Sequence, residues 1–384
     1  NLYLVGIAMP VVLPSIGPWY STEEAALKMG VTPGHVSRQC RTGKFKCQRI
    51  GSNYVLPEST VKRLRYLEFN PDELAHTYRK KQQFAVQRHY RVNPNILGIL
   101  APGANDTASL VYAKMLKQTC DFIGFRLGLV EFALDKVQQM IEKANEDPAI
   151  QGIFVFYPIF KDERDAQIRD MIVPHKDIEG LSRFWSDKLY ANERFLDDAK
   201  KKKAILPCTS LGILKTLAYV DNLDELSGQT FEAKTITIFN RSDVVGRPLA
   251  YMLKNDGATV YSFDITGGLA MKSGSTETPV SRDEALATSD IVVTGVPSRA
   301  FEKVRGEELK ENTTCLNFSF VQNFEDSAKR KSGIYVPRVG PMTIAMCIRN
   351  ALRLYDNNRD IYESQSSTVD WNSYGNLISL RNAA

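Results

Sequence analysis

From residue 71 onward, short apolar runs alternate with helical stretches. The runs cover residues 95–101, 125–130, 152–156, 235–240, 258–263, 290–295 and 314–318. Runs of this length between helices predict parallel sheets covered by helices, an α/β architecture. Residues 72–89 read as a long amphipathic helix that opens the region. The interval between the third and fourth runs is the longest and holds Pro174, Pro207 and the basic run 200–203, which puts a domain boundary near Leu206. Residues 267–279 are polar and read as a flexible loop.

Ahead of residue 71 the pattern is helix, tight turn, helix, short hairpin, helix. Ser21 or Thr22 caps the first helix, and Glu23 and Glu24 follow in its first turn, where the helix dipole favours acids. Gly30 ends that helix. Thr32 and Pro33 take the cap and first-turn places of the second, which Gly43 stops. Residues 44–50 alternate, 51–53 turn and 54–56 return as a strand, and 57–59 open a third helix. This order predicts an undefined segment 1–18, a small module 19–66, α/β domains over 71–205 and 206–340, and a tail 358–384.

Composition narrows the class. The 384 residues, 43% hydrophobic and 24% charged, suit a globular protein of two or three domains. No apolar run approaches bilayer length. Pro10, Pro14 and Pro18 interrupt the first segment, which lacks a signal-peptide pattern, and the absence of an initiator Met points to a truncated or processed start. Cys40, Cys47, Cys120, Cys208, Cys315 and Cys347 are scattered, without a C-x-x-C pair or a His cluster. They read as reduced thiols of a cytoplasmic protein, and no metal site is expected. The net charge of +5 is concentrated: residues 35–66 hold eight Arg or Lys and one acid, Glu58.

The most specific local chemistry lies around Asn240. A predicted strand runs into Asn240, Arg241, Ser242, Asp243, Val244, Val245, Gly246, Arg247 and Pro248, and a helix follows. Strand, tight turn and helix amino terminus present backbone N–H groups to a pyrophosphate. Gly246 permits close backbone approach, and Asn240 stands where a first glycine is usual because Asn tolerates positive φ. Arg241 and Ser242 are candidate contacts to phosphate or ribose. Asp264 ends the next strand, where an acid accepts hydrogen bonds from an adenosine ribose and repels a 2′-phosphate, favouring NAD over NADP. Gly295, Val296 and Pro297 supply a turn beside the nicotinamide.

Between about residues 71 and 353 the chain resembles the methylenetetrahydrofolate dehydrogenase/cyclohydrolase family, and most closely its monofunctional, NAD-dependent, fungal-type branch. The matching stretches are Ser109-Leu110-Val111-Tyr112, Val155-Phe156-Tyr157-Pro158, Pro174-His175-Lys176-Asp177-Ile178-Glu179-Gly180 and Leu206-Pro207-Cys208-Thr209. They continue with Asn240-Arg241-Ser242 through Gly246-Arg247-Pro248, and with Val339-Gly340-Pro341-Met342-Thr343.

The resemblance implies two α/β domains flanking a cleft, the second Rossmann-like, with a final helix over 341–357 completing the first domain, in a homodimer. It implies oxidation of a tetrahydrofolate-bound methylene to methenyl by hydride transfer to NAD, in one-carbon metabolism. Folate would contact Tyr112, Phe156, Pro158, Glu179 and Pro341, with Tyr112 as stacking platform and Glu179 as pterin anchor. The cofactor would contact Asn240, Arg241, Ser242, Val245, Gly246, Asp264, Gly295, Val296, Pro297 and Thr343.

Departures from the family pattern matter equally. Bifunctional members carry a lysine one turn after the tyrosine, where this chain has Leu116, and a glutamine where it has Phe156. Lys114 and Lys117 point elsewhere around the helix. These changes predict dehydrogenase without cyclohydrolase. Glu179 replaces the usual aspartate, and Pro337-Arg338-Val339-Gly340 lacks the glycine pair of many bifunctional members.

The stretch from Trp19 to Ala26, with Val36-Ser37-Arg38-Gln39, Gly43-Lys44-Phe45 and Arg49-Ile50-Gly51, resembles the winged helix-turn-helix of excisionase and MerR-type proteins. That implies a DNA contact through Ser37, Arg38 and Arg41, with His35 beside them, and through Lys44, Lys46 and Arg49 on the wing. Two function classes follow: an enzyme carrying an appendage, or a DNA-binding regulator that uses the folate/NAD body as ligand sensor.

Overall fold

All seven apolar runs become strands, each within one residue of its expected ends. The computed structural model describes residues 12–13, 17–29, 32–57, 60–61, 67–90, 93–101, 107–223, 230–364, 368–374 and 376–378. The strands divide between two sheets, the first three runs in one and the last four in the other.

In the first sheet, Asn95–Leu100 lies between Arg126–Glu131 and Gly152–Val155, all parallel. Asn95–Leu100 is buried along its whole length, as expected of a strand covered on both faces. The helices Thr107–Ile123 and Val137–Glu146 connect these strands.

The second sheet is a Rossmann-like core. Its order is Thr278–Val280, Gly267–Met271, Thr259–Asp264, Thr235–Phe239, Ile291–Thr294, Thr314–Asn317, Ile334–Val336 and Leu67–Glu68. The neighbours from Thr259–Asp264 to Leu67–Glu68 pair in parallel. The expected loop over 267–279 is instead two antiparallel strands, Gly267–Met271 and Thr278–Val280. Asp264 pairs directly with Gly267, so the chain reverses within two residues. Gly267 takes φ 120°, and a side chain on Gly268 would start 2.4 Å from the Phe263 ring. The glycines that look flexible in sequence are there so that the return strand fits.

The helix Gly340–Asn357 packs on both Pro71–His89 and Cys208–Val220. Gln82 Nε2 donates to the Ala345 carbonyl at 2.7 Å, and a Cβ on Gly212 would lie 3.1 Å from Thr343 N. Buried Asn350 donates to the carbonyls of Ile178 (3.1 Å) and Leu206 (2.8 Å), tying this helix to the last segment of the first domain.

The tail carries more structure than its sequence announces. Asn376–Leu377 joins the first sheet antiparallel to Glu131 and Val130. Trp371 lies over Gly128, whose Cβ would fall 2.2 Å from its ring, and Tyr374 Oη donates to Asp147 at 2.5 Å.

In the front segment, strands Gly17–Ser21, Asn53–Pro57 and Gln48–Ile50 pair antiparallel beside helices Thr22–Met29 and Pro33–Arg41. The Ser21 hydroxyl accepts from Glu24 N at 3.2 Å and Glu24 accepts from Ser21 N at 2.9 Å, a reciprocal cap. Thr32 caps the second helix. Ala25, Ala26, Val36, Cys40, Phe45 and Leu56 form a core of their own. The strand expected from residue 44 starts only at Gln48, because Lys44 N and Phe45 N still bond the Gln39 carbonyl and Phe45 turns into that core. The expected start of a third helix, Glu58 and Ser59, lies outside the described residues. Among the described residues no helix is long and apolar enough to cross a membrane.

Candidate active site

The turn after Thr235–Phe239 closes through side chains rather than through a left-handed residue. Asn240 is absent from the described positive-φ positions, a correction to its expected role. Its Oδ1 instead accepts from Ser242 N (3.0 Å) and Ser242 Oγ (2.7 Å), and its Nδ2 donates to the Gly295 carbonyl at 2.9 Å. An asparagine amide thus replaces glycine freedom with three fixed bonds. Val245 N donates to Ser242 Oγ at 3.3 Å, and the helix Gly246–Asn255 begins immediately after. A Cβ on Gly246 would fall 1.8 Å from the Asn240 carbonyl oxygen. The glycine is required by the turn itself.

Arg241 does not reach toward the helix amino end. Its guanidinium lies against the next strand, with Nε donating to Ser262 Oγ at 3.3 Å, Nη1 to Asp264 Oδ2 at 2.8 Å, and Nη2 to the carbonyls of Ser262 and of Gly267, the latter at 2.9 Å. Asp264 Oδ1 also accepts from Thr266 N (2.7 Å) and Oγ1 (2.6 Å). Desolvation raises the Asp264 acid, but the Thr266 bonds and Arg241 outweigh it and hold it below the usual carboxylate range. Gly295 follows the end of Ile291–Thr294 and lies under Phe318, whose ring would be 1.8 Å from a Cβ there. Buried Asn323 clamps Val296, accepting from its N–H at 2.9 Å and donating to its carbonyl at 3.0 Å. Pro297 is exposed.

Across the molecule, Tyr112 sits on Thr107–Ile123 with its ring 5.9 Å from Phe154 and 6.0 Å from Phe156. Phe156 itself is buried, so it backs Tyr112 rather than lining open space. Burial raises the Tyr112 phenol well above its ordinary value, and Cys347, Cys208 and Glu179 add to this. Leu116, one turn on, is fully buried, and Lys117 is ion-paired with Asp121. Pro158 is exposed and follows a cis bond from Tyr157, whose buried hydroxyl has no hydrogen-bond partner among the described residues.

Glu179 keeps a partly exposed edge, while its carboxyl is packed into protein and accepts from Val155 N at 3.0 Å. Burial pushes this acid well above its ordinary value; the Val155 N–H opposes the shift and Asp177 adds to it. A raised native pKa favours the folded state below the unfolded value and loses that advantage as pH rises through the native one. Relative to Glu179→Gln, the parent protein should therefore lose thermal stability between about pH 4.5 and neutrality. Melting temperatures of the two proteins across pH 4–8 check this, and parallel curves would contradict it.

Sequence reasoning gave no role to Asp177 or Lys176. Asp177 accepts from the N–H groups of Gly180, Leu181 and Ser182 at 2.9–3.1 Å, folding the loop that carries Glu179. Lys176 donates to the carbonyls of Ala144, Asn145 and Asp147 at 2.7–2.8 Å, and burial pulls its pKa down to about 8. In sequence they stand out only as members of the matching stretch Pro174–Gly180. Asn323 has no local sequence signal.

One short stretch joins the two halves. Cys208 N donates to the Glu179 carbonyl at 3.2 Å, and two residues later Ser210 Oγ donates to the Val245 carbonyl at 2.8 Å. Gly180, at φ +71°, packs with its would-be Cβ 3.0 Å from the Leu206 backbone. The Glu179 loop and the turn before Gly246 thus meet at the amino end of Cys208–Val220. Pro341 and Thr343 lie buried on the helix packed beside it, and the Thr343 hydroxyl bonds the Val339 carbonyl at 3.4 Å. A cavity of about 1320 Å³ lies elsewhere, against the starts of the second sheet's strands at Asp290, Thr314 and Ile334.

Comparison with known proteins agrees with this layout. Residues 69–179 match the tetrahydrofolate dehydrogenase/cyclohydrolase catalytic domain, and 207–359 match the NAD(P)-binding domain of the same family. The chain belongs to this family. It is 37% identical over 308 residues to "Methylenetetrahydrofolate dehydrogenase [NAD(+)]" of Schizosaccharomyces pombe, covering 75% of this chain and 95% of that protein. A protein of the same name from Dictyostelium discoideum is 39% identical, over 69% of this chain and 86% of that one. The solved NAD-dependent 5,10-methylenetetrahydrofolate dehydrogenase of Saccharomyces cerevisiae superposes with a TM-score of 0.72 at 34% identity, over 77% of this chain and 98% of that one. Both family matches begin after residue 68, so the front segment stands outside them.

Proposed function

We propose that this protein oxidises 5,10-methylenetetrahydrofolate to 5,10-methenyltetrahydrofolate with NAD as hydride acceptor. The observation that carries the reading is the junction at Cys208–Val220, which brings Glu179 and the Gly246 turn onto one helix end. The relatives named above bear this activity in their names.

NAD supplies a nicotinamide ring that accepts the hydride. The residues of this chain have the remaining tasks. The turn Asn240–Gly246 holds the dinucleotide phosphates at the helix amino end, where the dipole favours anions. Asp264 meets the adenosine ribose. Glu179 anchors the pterin by its N–H groups, and Tyr112, braced by Phe154 and Phe156, gives it a flat wall. No strong base is required, because the nitrogen lone pair beside the methylene expels the hydride and leaves the methenyl cation. The site has to orient two rings and tolerate the growing positive charge.

The same site lacks the groups that water attack needs. Leu116 is fully buried in the core and Phe156 nearly so. The protein should reduce NAD with methylenetetrahydrofolate and leave methenyltetrahydrofolate at its uncatalysed hydrolysis rate. A spectrophotometric assay with NAD and NADP, followed by methenyl decay, tests both halves; rapid methenyl hydrolysis contradicts the second.

A further reading concerns the front segment. Two capped helices and the hairpin Gln48–Pro57 fit a winged helix-turn-helix, and Arg38, Arg41, Lys44, Lys46 and Arg49 are exposed. We propose that this face contacts duplex DNA, with a homodimer presenting two copies for avidity. Arg38 is ion-paired with Glu73 of Pro71–His89, and DNA has to compete for it. Gel shifts of the full chain should weaken steeply with salt and with Lys44→Ala/Arg49→Ala. No shift at low salt leaves the segment a structural appendage.

A further inference from the structure

Tyr157 carries a buried polar atom that its surroundings do not use. Ile153 and Asp177 pair as a parallel bridge, so Val155 and Glu179, two residues on, stand level, and Val155 N meets the Glu179 carboxyl at 3.0 Å. Tyr157 is the next residue but one, its N–H closing onto the Val155 carbonyl at 3.0 Å. Its ring packs against the apolar cluster that holds Val155 and Ile159, whereas Phe156 belongs to the cluster that Tyr112 packs against. The Glu179 charge acts on both phenols, so Glu179 stands between two tyrosines. The Arg169 guanidinium lies over the Tyr157 ring, 5.8 Å from its centroid, and helps to hold it there. The Tyr157 hydroxyl itself is buried and has no hydrogen-bond partner among the described residues. A buried hydroxyl left without a partner is destabilising. A ligand that supplies the missing bond accounts for it.

We propose that the Tyr157 hydroxyl is a second hydrogen-bond partner for the polar edge of the pterin, beside Glu179. The inference rests on the reading of Glu179 as the pterin anchor. That edge of the ring carries N–H donors next to a carbonyl acceptor. Glu179 serves the donors, and the carbonyl calls for a donor in return. Burial, with the Glu179 and Asp177 charges, pushes the Tyr157 phenol well above its ordinary value, so it keeps its proton and can donate. The two groups together match the alternation of donors and acceptor along the ring edge, which neither matches alone.

The test is equilibrium binding of tetrahydrofolate and of 6-methyltetrahydropterin, a fragment without the aminobenzoyl-glutamate tail, to the parent protein and to Tyr157→Phe. The variant should bind both compounds about tenfold more weakly, while its affinity for NAD stays as in the parent. Its melting temperature without ligand should be equal to the parent's or higher, because the substitution removes an unpaired buried oxygen and nothing else. Weaker pterin binding by a protein that is no less stable is a result that a purely structural hydroxyl does not give. Equal affinities for tetrahydrofolate in the two proteins overturn the proposal and leave the reading of Glu179 standing. A loss confined to tetrahydrofolate, with the fragment bound as before, also overturns it, since the hydroxyl then meets the tail and not the ring. So does a lower melting temperature with unchanged affinities, which makes the hydroxyl a structural group. If the parent protein binds neither compound, the folate reading itself falls and the proposal falls with it.

Discussion

Gly246→Ala should weaken NAD binding by about 100-fold or more, equivalent to about 2.7 kcal/mol. The added methyl would start 1.8 Å from the Asn240 carbonyl oxygen and 2.4 Å from its carbon. Both are backbone atoms, and Asn240 cannot swing aside, because its amide is fixed to Ser242 and Gly295. The helix start has to move away from the turn, and a displacement near 1 Å is enough to spoil a phosphate contact made by N–H groups. Overpacking of this kind also destabilises by about 1–3 kcal/mol. Gly34→Ala is the contrasting case: nothing lies within 4 Å of its Cβ, and the residue sits inside a helix. That substitution should be neutral or slightly stabilising. Isothermal titration with NAD and thermal melts of both variants check the contrast; equal NAD affinity for Gly246→Ala and the parent would show that the turn is not the phosphate site.

Glu179→Ala should lower kcat/KM for methylenetetrahydrofolate by about 100-fold or more, while NAD affinity changes little. A buried charged or acidic partner removed from a bound polar ring leaves that ring's N–H groups unsatisfied, which amounts to about 2–4 kcal/mol. Stability should move the other way at neutral pH, because a carboxyl whose native pKa is raised by burial is held at a cost there. Loss of activity together with a higher melting temperature is the signature of a binding group kept for function. Loss of activity with a lower melting temperature would instead make Glu179 a structural residue that positions its loop. Steady-state kinetics, with folate and NAD varied separately, and calorimetric melts distinguish the two.

The sheet strands could be read from sequence because burial on both faces writes them as continuous apolar runs, from 95–101 through 314–318. What escaped depends on contacts far apart in the chain. The pair Gly267–Met271 and Thr278–Val280 looks polar because it extends the sheet at an exposed edge, and Gly268 makes room for Phe263. The tail strand Asn376–Leu377 is too short for periodicity, and its docking is written in a distant glycine, Gly128. At the candidate site, residue types and order singled out the turn at Asn240–Gly246, whereas side-chain direction did not follow from them. Arg241 turns to Asp264 rather than to the helix end, and Asn240 works through its amide rather than through φ. Asp177 and Asn323 shape the loops that carry Glu179 and Val296 through backbone bonds that no spacing rule marks.

Direct transfer between the two bound rings is best tested with methylenetetrahydrofolate carrying two deuteriums on its methylene carbon. Mass spectrometry of the reduced nicotinamide formed by the full chain should find one deuterium per turnover, on the ring and not exchanged with water. Reduced nicotinamide without deuterium, or no reduction of NAD at all, would mean that Glu179 and the Gly246 turn do not face a shared folate and dinucleotide.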